Sequence, residues 1–164
     1  MYLTVHRMKR LLPLILASLM LTAPVFARLG ETEAQLRKRY GSPVQQTRKD
    51  VWVWLFEDED EGQLMLTVTL DADGHSVAEG LKPLKRAKLD RESVERFITA
   101  QLEPYRGSKT TRTIKGGGKY HFAGHDFTCA ADEVAIVDEP NSLLIIWNNS
   151  AVPAVMAVRP IVLQ

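Results

Sequence analysis

The chain has 164 residues, and its 21 Lys and Arg residues against 20 Asp and Glu residues give a formal net charge of +1 at pH 7. This near balance gives no general electrostatic argument for binding nucleic acid or an anionic membrane surface. Cys129 is the only cysteine, which excludes the small secreted proteins that depend on several internal disulfides. The length suits one domain and is short for two.

The first 27 residues have the pattern of a secretory signal peptide. Basic residues precede a short apolar segment, Leu11–Leu21, and small or tolerated residues follow it up to Ala27. We expect cleavage after Ala27 and delivery of residues 28–164 to the periplasm or the exterior. An uncleaved membrane anchor is the alternative, although the apolar segment is short for a membrane span. Met8 is as good a start as Met1.

A short helix is predicted at Glu33–Tyr40. Thr32 and Gln35 have the spacing of a capping box, in which each side chain binds a backbone N–H that the first turn leaves without a partner. Gly41 can close the helix and Pro43 cannot continue it, so we expect the helix to end there.

Two apolar strands joined by an acidic turn follow the helix. The first strand, Val51–Phe56, has β-branched or aromatic residues at both its odd and its even positions. In the second, Leu64–Leu70, apolar side chains occupy every other position, so one face is expected to pack inward. The acidic run Glu57–Glu61 and Gly62 suit a solvated turn between them. The run Asp71–Gly74 predicts a second turn, with a third strand over His75–Leu81.

The sequence from Leu29 to Gly80 resembles the SmpA/OmlA (BamE) family of small outer-membrane assembly lipoproteins. The resemblance rests on Leu-Gly-Glu-Thr-Glu-Ala-Gln-Leu at residues 29–36, Tyr-Gly-Ser-Pro-Val at residues 40–44, and the Trp-rich strand after them. It implies helices on an antiparallel sheet, as in the β-lactamase-inhibitor-protein-like fold, and a binding role. The chain departs from that family because it has no signal-peptide cysteine to which a lipid could be attached.

The second half begins with a basic connector and a second predicted helix. Asp90 is a good N-cap, the apolar side chains of Val94, Phe97 and Ile98 recur at helical spacing, and Pro104 ends the helix. Residues 105–119 are predicted to be loop. Their Gly116-Gly117-Gly118-Lys119 run lacks the spacing and the hydroxyl residue of a phosphate-binding loop.

The rest of the chain is predicted to be strands. Their ranges are Tyr120–Ala123, Phe127–Val137, Leu143–Trp147 and Ala154–Val158. The resulting fold prediction is α+β: a single domain, residues 28–164, with an antiparallel sheet and two short helices packed on one of its faces. Two helix-then-strands pseudo-repeats, residues 28–81 and 90–164, are an alternative arrangement of the same elements.

The acidic turn and the aromatic row before it are the predicted binding site. Aromatic rows of this kind are usually core beneath a helix, but an open row would hold a partner protein. The predicted contact residues are Trp52, Trp54, Phe56, Glu57, Asp58, Glu59, Asp60 and Glu61.

A second cluster contains, within nine positions, four residues of types that can bind a metal ion or take part in catalysis. It consists of His121, His125, Asp126 and Cys129. Across a hairpin some of these side chains could form a metal site or a Cys/His pair. Alternatively, the histidines lie on an exposed hairpin and Cys129 packs as a small apolar residue.

The functional prediction is an exported binding or structural protein of the cell envelope, without a cofactor. No nucleophile elbow, zinc-protease motif or dinucleotide fingerprint occurs, which favours binding over catalysis. The expected partner is a protein or an envelope component, not nucleic acid, and no membrane span is expected after cleavage. The alternatives are an exported hydrolase or metal-dependent enzyme that uses the His121–Cys129 cluster, and a structural protein that dimerises through Cys129.

Overall fold

The structure is a computed structural model that describes residues 28–58, 62–85, 89–105, 110–148 and 155–158. The helices in these ranges are α1 (Glu33–Tyr40) and α2 (Arg91–Leu102), with short 3-10 turns at Glu103–Tyr105 and Glu139–Asn141. The strands are β1 (Gln45–Arg48), β2 (Val51–Asp58), β3 (Gly62–Leu70), β4 (Ser76–Pro83), β5 (Arg112–Lys115), β6 (Gly118–Phe122), β7 (His125–Cys129), β8 (Glu133–Asp138), β9 (Leu143–Asn148) and β10 (Val155–Val158).

Eight of these strands form one antiparallel sheet. Their order is β1-β2-β3-β4-β10-β9-β8-β5, while β6 and β7 pair only with each other. The sheet therefore consists of two sets of four strands, each set following one helix in the chain. The two sets are joined where β4 pairs with β10, with Leu81 opposite Val155 and Ala78 opposite Val158.

Helix α1 has the ends that the sequence predicts. The Thr32 Oγ1 accepts a hydrogen bond from the Gln35 backbone N–H, and the Gln35 Oε1 accepts one from the Thr32 backbone N–H at 2.8 Å. Gly41 ends the helix with a φ of +76° and donates its N–H to the Arg37 carbonyl. The predicted capping box is confirmed, because both reciprocal bonds are present.

Helix α2 is fixed by one cap and one large apolar side chain. The Asp90 carboxylate accepts a 2.7 Å hydrogen bond from the Ser93 backbone N–H, which confirms Asp90 as the N-cap. Phe97 lies on the buried side of the helix and is fully excluded from solvent.

The main core lies between the two helices and one face of the sheet, which we call the inner face. Leu36 of α1 and Phe97 of α2 belong to the same buried cluster as the inward side chains of the first three long strands. The alternation predicted for β3 is confirmed, since Leu64, Leu66 and Val68 are all fully buried.

The opposite, outer face of the sheet is covered at one end by the β6–β7 hairpin. The hairpin contributes Phe122 and Cys129 to a second core, which also contains Ala135 and Val137 of β8 and Leu144 of β9. Successive residues of β9 therefore alternate between the two cores: Leu143 and Ile145 face the helices, and Leu144 faces the hairpin.

The predicted fold class, α+β with a single antiparallel sheet, is wrong. The described chain is mostly antiparallel β-structure, in an eight-stranded sheet and a separate two-stranded sheet. The physical reason is the second core: the apolar parity of the hairpin is buried by folding it over the outer face, where it forms another layer.

Several strand boundaries also differ from the prediction. Phe127–Val137 is two strands, β7 and β8, separated by a turn at residues 130–132. Two polar strands, β1 and β5, lie at the two ends of the sheet, and neither was predicted as a strand. All four side chains of β1 and three of the four in β5 are exposed, Ile114 being the exception, so these strands lack the apolar alternation that identifies interior strands.

No helix in the described part of the chain is both long enough and apolar enough to cross a membrane. The predicted signal peptide, residues 1–27, lies outside the described residues.

Candidate functional sites

The aromatic row of β2 lies in the core. Trp52 and Trp54 are 2% and 1% exposed, and their ring centroids are 5.8 Å apart. Tyr40 of α1 packs against Trp54 at 5.8 Å between centroids, and the Arg37 guanidinium lies over the Trp52 ring at 4.6 Å. In this structure α1 therefore covers both tryptophans, as the core interpretation of the row requires.

The rest of the predicted binding site lies at the end of the β2–β3 hairpin. Phe56 is half-buried against the main core, 5.7 Å from the Tyr40 ring, and Glu57 is exposed. Asp58 is bound by Arg96 of α2, whose Nη2 lies 3.3 Å from its Oδ2. Glu59, Asp60 and Glu61 lie outside the described residues. Glu57 is thus the acidic contact residue that the structure places at the surface.

An apolar surface that the sequence did not predict lies on the outer face of the same hairpin. Leu55 is 38% exposed and pairs with Met65, which in turn pairs with Lys82 of β4. Leu84 is 42% exposed, and its N–H donates to the Gln63 carbonyl at 2.8 Å. This bond places Leu84 opposite Gln63, in the cross-strand row next to that of Leu55, Met65 and Lys82. We call this surface the outer patch; its residues are Leu55, Glu57, Gln63, Met65, Lys82 and Leu84.

The signal for the outer patch was present in the alternation of β2. Trp52, Trp54 and Phe56 have one parity, and Leu55 and Glu57 have the other. A strand that packs on one face must turn its odd residues away from that face. Once the tryptophans are assigned to the core, Leu55 is necessarily directed to the outer face.

The predicted His121–Cys129 cluster is divided between two faces of the β6–β7 hairpin. His121 lies directly opposite Asp126, and its Nδ1 is 2.9 Å from the Asp126 Oδ1. Both side chains are exposed, whereas Cys129 is on the other parity and fully buried. His125 has the parity of Cys129 but lies at the far end of the strand, beside Phe122. The hairpin joins one histidine to one carboxylate and separates both from the thiol.

Cys129 also lacks the environment of a nucleophile. Desolvation in the second core, with a smaller contribution from the Glu133 carboxylate, raises the pKa of its thiol. Among the described residues, no three His, Cys, Asp or Glu side chains are arranged to hold a metal ion.

A buried polar network lies beneath the helices and was not predicted from the sequence. Glu79 of β4 is 1% exposed, between Val68 of β3 and Ala157 of β10, which are both fully buried. Gln101 of α2 donates from Nε2 to the Glu79 Oε2 at 2.7 Å and accepts at Oε1 from the Leu29 N–H at 3.0 Å. A carboxylate, a side-chain amide and the chain before α1 are thus linked in the core.

Glu79 is a strongly perturbed acid. Desolvation raises its pKa from 4.5 to about 8, opposed by hydrogen bonds from Gln101 and Ser76 and assisted by the charge of Glu31. Burial also raises the pKa of the neighbouring Tyr40 well above its usual value, and Glu79 adds to that effect. The available signal was an acidic residue at the same parity as Val77, Leu81 and Pro83, which are apolar.

Comparison with known proteins adds no relative: no family model matches the chain, nor does any curated protein or solved structure.

Proposed function

We propose that this protein is exported to the cell envelope and acts there by binding another protein or an envelope component. The observation that carries the proposal is the outer patch, where two of the three exposed large apolar side chains of the described residues lie on neighbouring rows. The third is Val44, which precedes β1. Exposed apolar side chains that are grouped and bordered by charged residues are typical of protein contact surfaces.

The outer patch has the composition of a small protein-binding surface. Leu55, Met65 and Leu84 supply apolar area, while Glu57 and Lys82 provide one charge of each sign at its border. Mixed charges of this kind favour a partner with complementary polar groups over a strongly acidic or basic polymer. The surface therefore suits a folded protein partner better than nucleic acid.

The proposal that the protein is exported rests on the signal-peptide pattern of residues 1–27. The chain immediately after the predicted cleavage site belongs to the folded body: Leu29 is in the core, and the Gly30 N–H donates to the Ser76 carbonyl at 2.7 Å. Cleavage after Ala27 would leave all of these contacts in the mature chain.

Site-specific photocrosslinking tests the binding role. A benzophenone amino acid placed at Leu55 should give an adduct with one partner in intact cells, and the same group at Val44 should not. A Leu55→Ser/Leu84→Ser double variant that folds normally should lose the adduct. Equal crosslinking from both positions, or none from Leu55, would contradict the proposal.

Export is tested separately by recovering the protein from the periplasmic fraction or the medium and sequencing its N-terminus. The expected first residue is Arg28. Recovery only from the cytoplasm with residues 1–27 still attached would refute the assignment.

A further inference from the structure

We propose that Glu79 is a proton-dependent switch: while its carboxyl group is neutral it helps hold residues 28–40 on the sheet, and its ionisation releases them and uncovers Trp52 and Trp54. We call residues 28–40 the N-terminal segment. Glu79 lies on the inner face and the outer patch on the opposite one, so the switch and the binding surface can each fail without the other.

The N-terminal segment is attached to the rest of the protein partly by side-chain hydrogen bonds beside Glu79. Gln101 links the Glu79 carboxyl group to the Leu29 N–H, so one side-chain amide connects the buried acid to the start of this segment. Ser76, on the same strand as Glu79, donates from Oγ to the Arg28 carbonyl at 3.0 Å and accepts from the Glu31 N–H at 3.2 Å. One of the side-chain links that hold the segment therefore runs through the acid, and the others lie beside it on the same strand.

The polar groups around Glu79 only partly compensate a negative charge on its carboxylate, because burial outweighs the effects of Gln101, Ser76 and Arg39. The Glu79 Oε1 is buried without a hydrogen-bond partner among the described residues, and so is the Glu31 Oε2. On either side along the sheet, Val68 and Ala157 are apolar. A buried carboxylate that is incompletely hydrogen-bonded is strongly disfavoured, so the chain must either keep it neutral or admit water.

Charged groups near Glu79 do not offset this cost. From the segment, Glu31 opposes ionisation of Glu79 and Arg39 favours it, but Arg39 is already paired with Glu31. Tyr40 is neutral, and from β4 and α2 the facing groups are the uncharged Ser76 and Gln101. Arg39 thus has a carboxylate partner of its own. Arg28, whose Nε is buried without a hydrogen-bond partner among the described residues, is the other cation beside Tyr40.

Helix α1, in the N-terminal segment, is held less firmly than helix α2. Helix α1 has eight residues and one fully buried side chain, Leu36, whereas α2 has twelve residues and buries Phe97, Ser93 and Gln101. A helix of eight residues has little stability of its own. Water entering to hydrate an ionised Glu79 is therefore expected to displace α1, which covers Trp52 and Trp54.

Hydrogen exchange of the purified protein as a function of pH tests the switch. If opening ionises Glu79, the opening constant rises about tenfold per pH unit between the ordinary and the folded pKa of the group. The protection factors of residues 28–44 should therefore fall about tenfold per unit between pH 5 and pH 8. Those of residues 133–148, in β8 and β9, should remain larger at every pH, because these strands exchange only when the whole protein unfolds.

Two variants complete the test. Glu79→Gln removes the ionisable group and should abolish the pH dependence in residues 28–44, whereas Glu95→Gln, at an exposed site on α2, should leave it unchanged. Acrylamide quenching of the fluorescence of Trp52 and Trp54 can be measured in a Trp147→Phe background. This quenching should increase with pH when Glu79 is present and should not increase in the Glu79→Gln variant.

The results that overturn the switch are specific. Equal protection factors in residues 28–44 and 133–148 would mean that the segment opens only by global unfolding, and an unchanged pH dependence in Glu79→Gln would assign it to another group. Constant protection of residues 28–44 across the pH range would show that the segment does not open. The comparison of the two segments in the unsubstituted protein decides the matter even if Glu79→Gln does not fold.

Discussion

Substituting Gly116 with Ala is expected to damage the attachment of the β6–β7 hairpin. A Cβ atom added at Gly116 would lie 1.8 Å from the Ala130 carbonyl oxygen and 2.9 Å from the Ala131 carbonyl carbon. Both of these are backbone atoms, so no side-chain rotation can relieve the overlap. The two connections that lead into and out of the hairpin must move apart until the contact reaches the 3.4 Å of ordinary van der Waals distance.

The magnitude follows from the bonds that this displacement breaks. The Gly116 N–H donates to the Glu133 carbonyl, and the Gly117 N–H donates to the Cys129 carbonyl, each at 2.9 Å. Two backbone hydrogen bonds contribute about 1 kcal/mol each. Loosened packing of Phe122 in the second core adds to this loss. We expect Gly116→Ala to lower the free energy of unfolding by about 2–4 kcal/mol.

Urea unfolding followed by circular dichroism measures this change, and Gly80→Ala is the matched control. Gly80 lies inside β4, and a Cβ atom there would meet nothing within 4 Å. Replacing a strand glycine with alanine reduces the entropy lost on folding, so Gly80→Ala should be neutral or stabilising by about 0.5–1 kcal/mol. If Gly116→Ala is as stable as the unsubstituted protein, the close crossing of the two connections is wrong.

Three further predictions concern the two cores. Glu79 is neutral in the folded and unfolded chains below about pH 4.5, and between that pH and its folded pKa of about 8 only the unfolded chain releases the proton. Its share of the free energy of unfolding is therefore present at low pH and falls with rising pH by about 1.4 kcal/mol per unit, about 5 kcal/mol in all. Urea titrations at pH 5 and pH 8 should show this loss relative to Glu79→Gln, and parallel pH profiles would refute it. Phe97→Ala should cost about 3–5 kcal/mol in the same assay, because the side chain is fully buried; a cost below about 1 kcal/mol would contradict its position. Cys129 should react with a thiol reagent at pH 8 only as fast as the second core opens, and rapid reaction in native buffer would show that the thiol is accessible.

Local chemistry in the sequence was sufficient to locate both helices. The Thr32–Gln35 capping box and the Asp90 cap depend on bonds within three residues, so they can be read without knowing the rest of the fold. The burial of Leu64, Leu66 and Val68 is equally local, since strand alternation fixes it once one face is packed.

The layer structure was not predictable in this way. The sequence indicates that β6 and β7 form a hairpin around Gly124, but whether that hairpin extends the sheet or folds over it depends on distant residues such as Ala135 and Leu144. The same holds for Glu79. Its strand position is readable, yet its burial depends on Gln101, which is 22 residues away.

The candidate site was half predictable. The sequence identified β2 as the strand of interest, and its aromatic parity suited a core as well as an open row. Only the position of α1, with Tyr40 over Trp54, decides which parity is outward in the observed state. A meeting of some side chains of the His121–Cys129 cluster across a hairpin was predicted, but the choice of Asp126 as the partner of His121 and the exclusion of Cys129 follow from the strand register.

The pairing of β4 with β10 has a consequence for the order of assembly. The strand that emerges last among those described occupies an interior position and bridges the two four-stranded sets. Until it arrives, the β4 edge has no neighbour on that side, and unpaired edges invite association between nascent chains. The β4 edge thus stays open until the chain has been made as far as β10, and we expect the yield of folded protein to depend on chaperones that cover it.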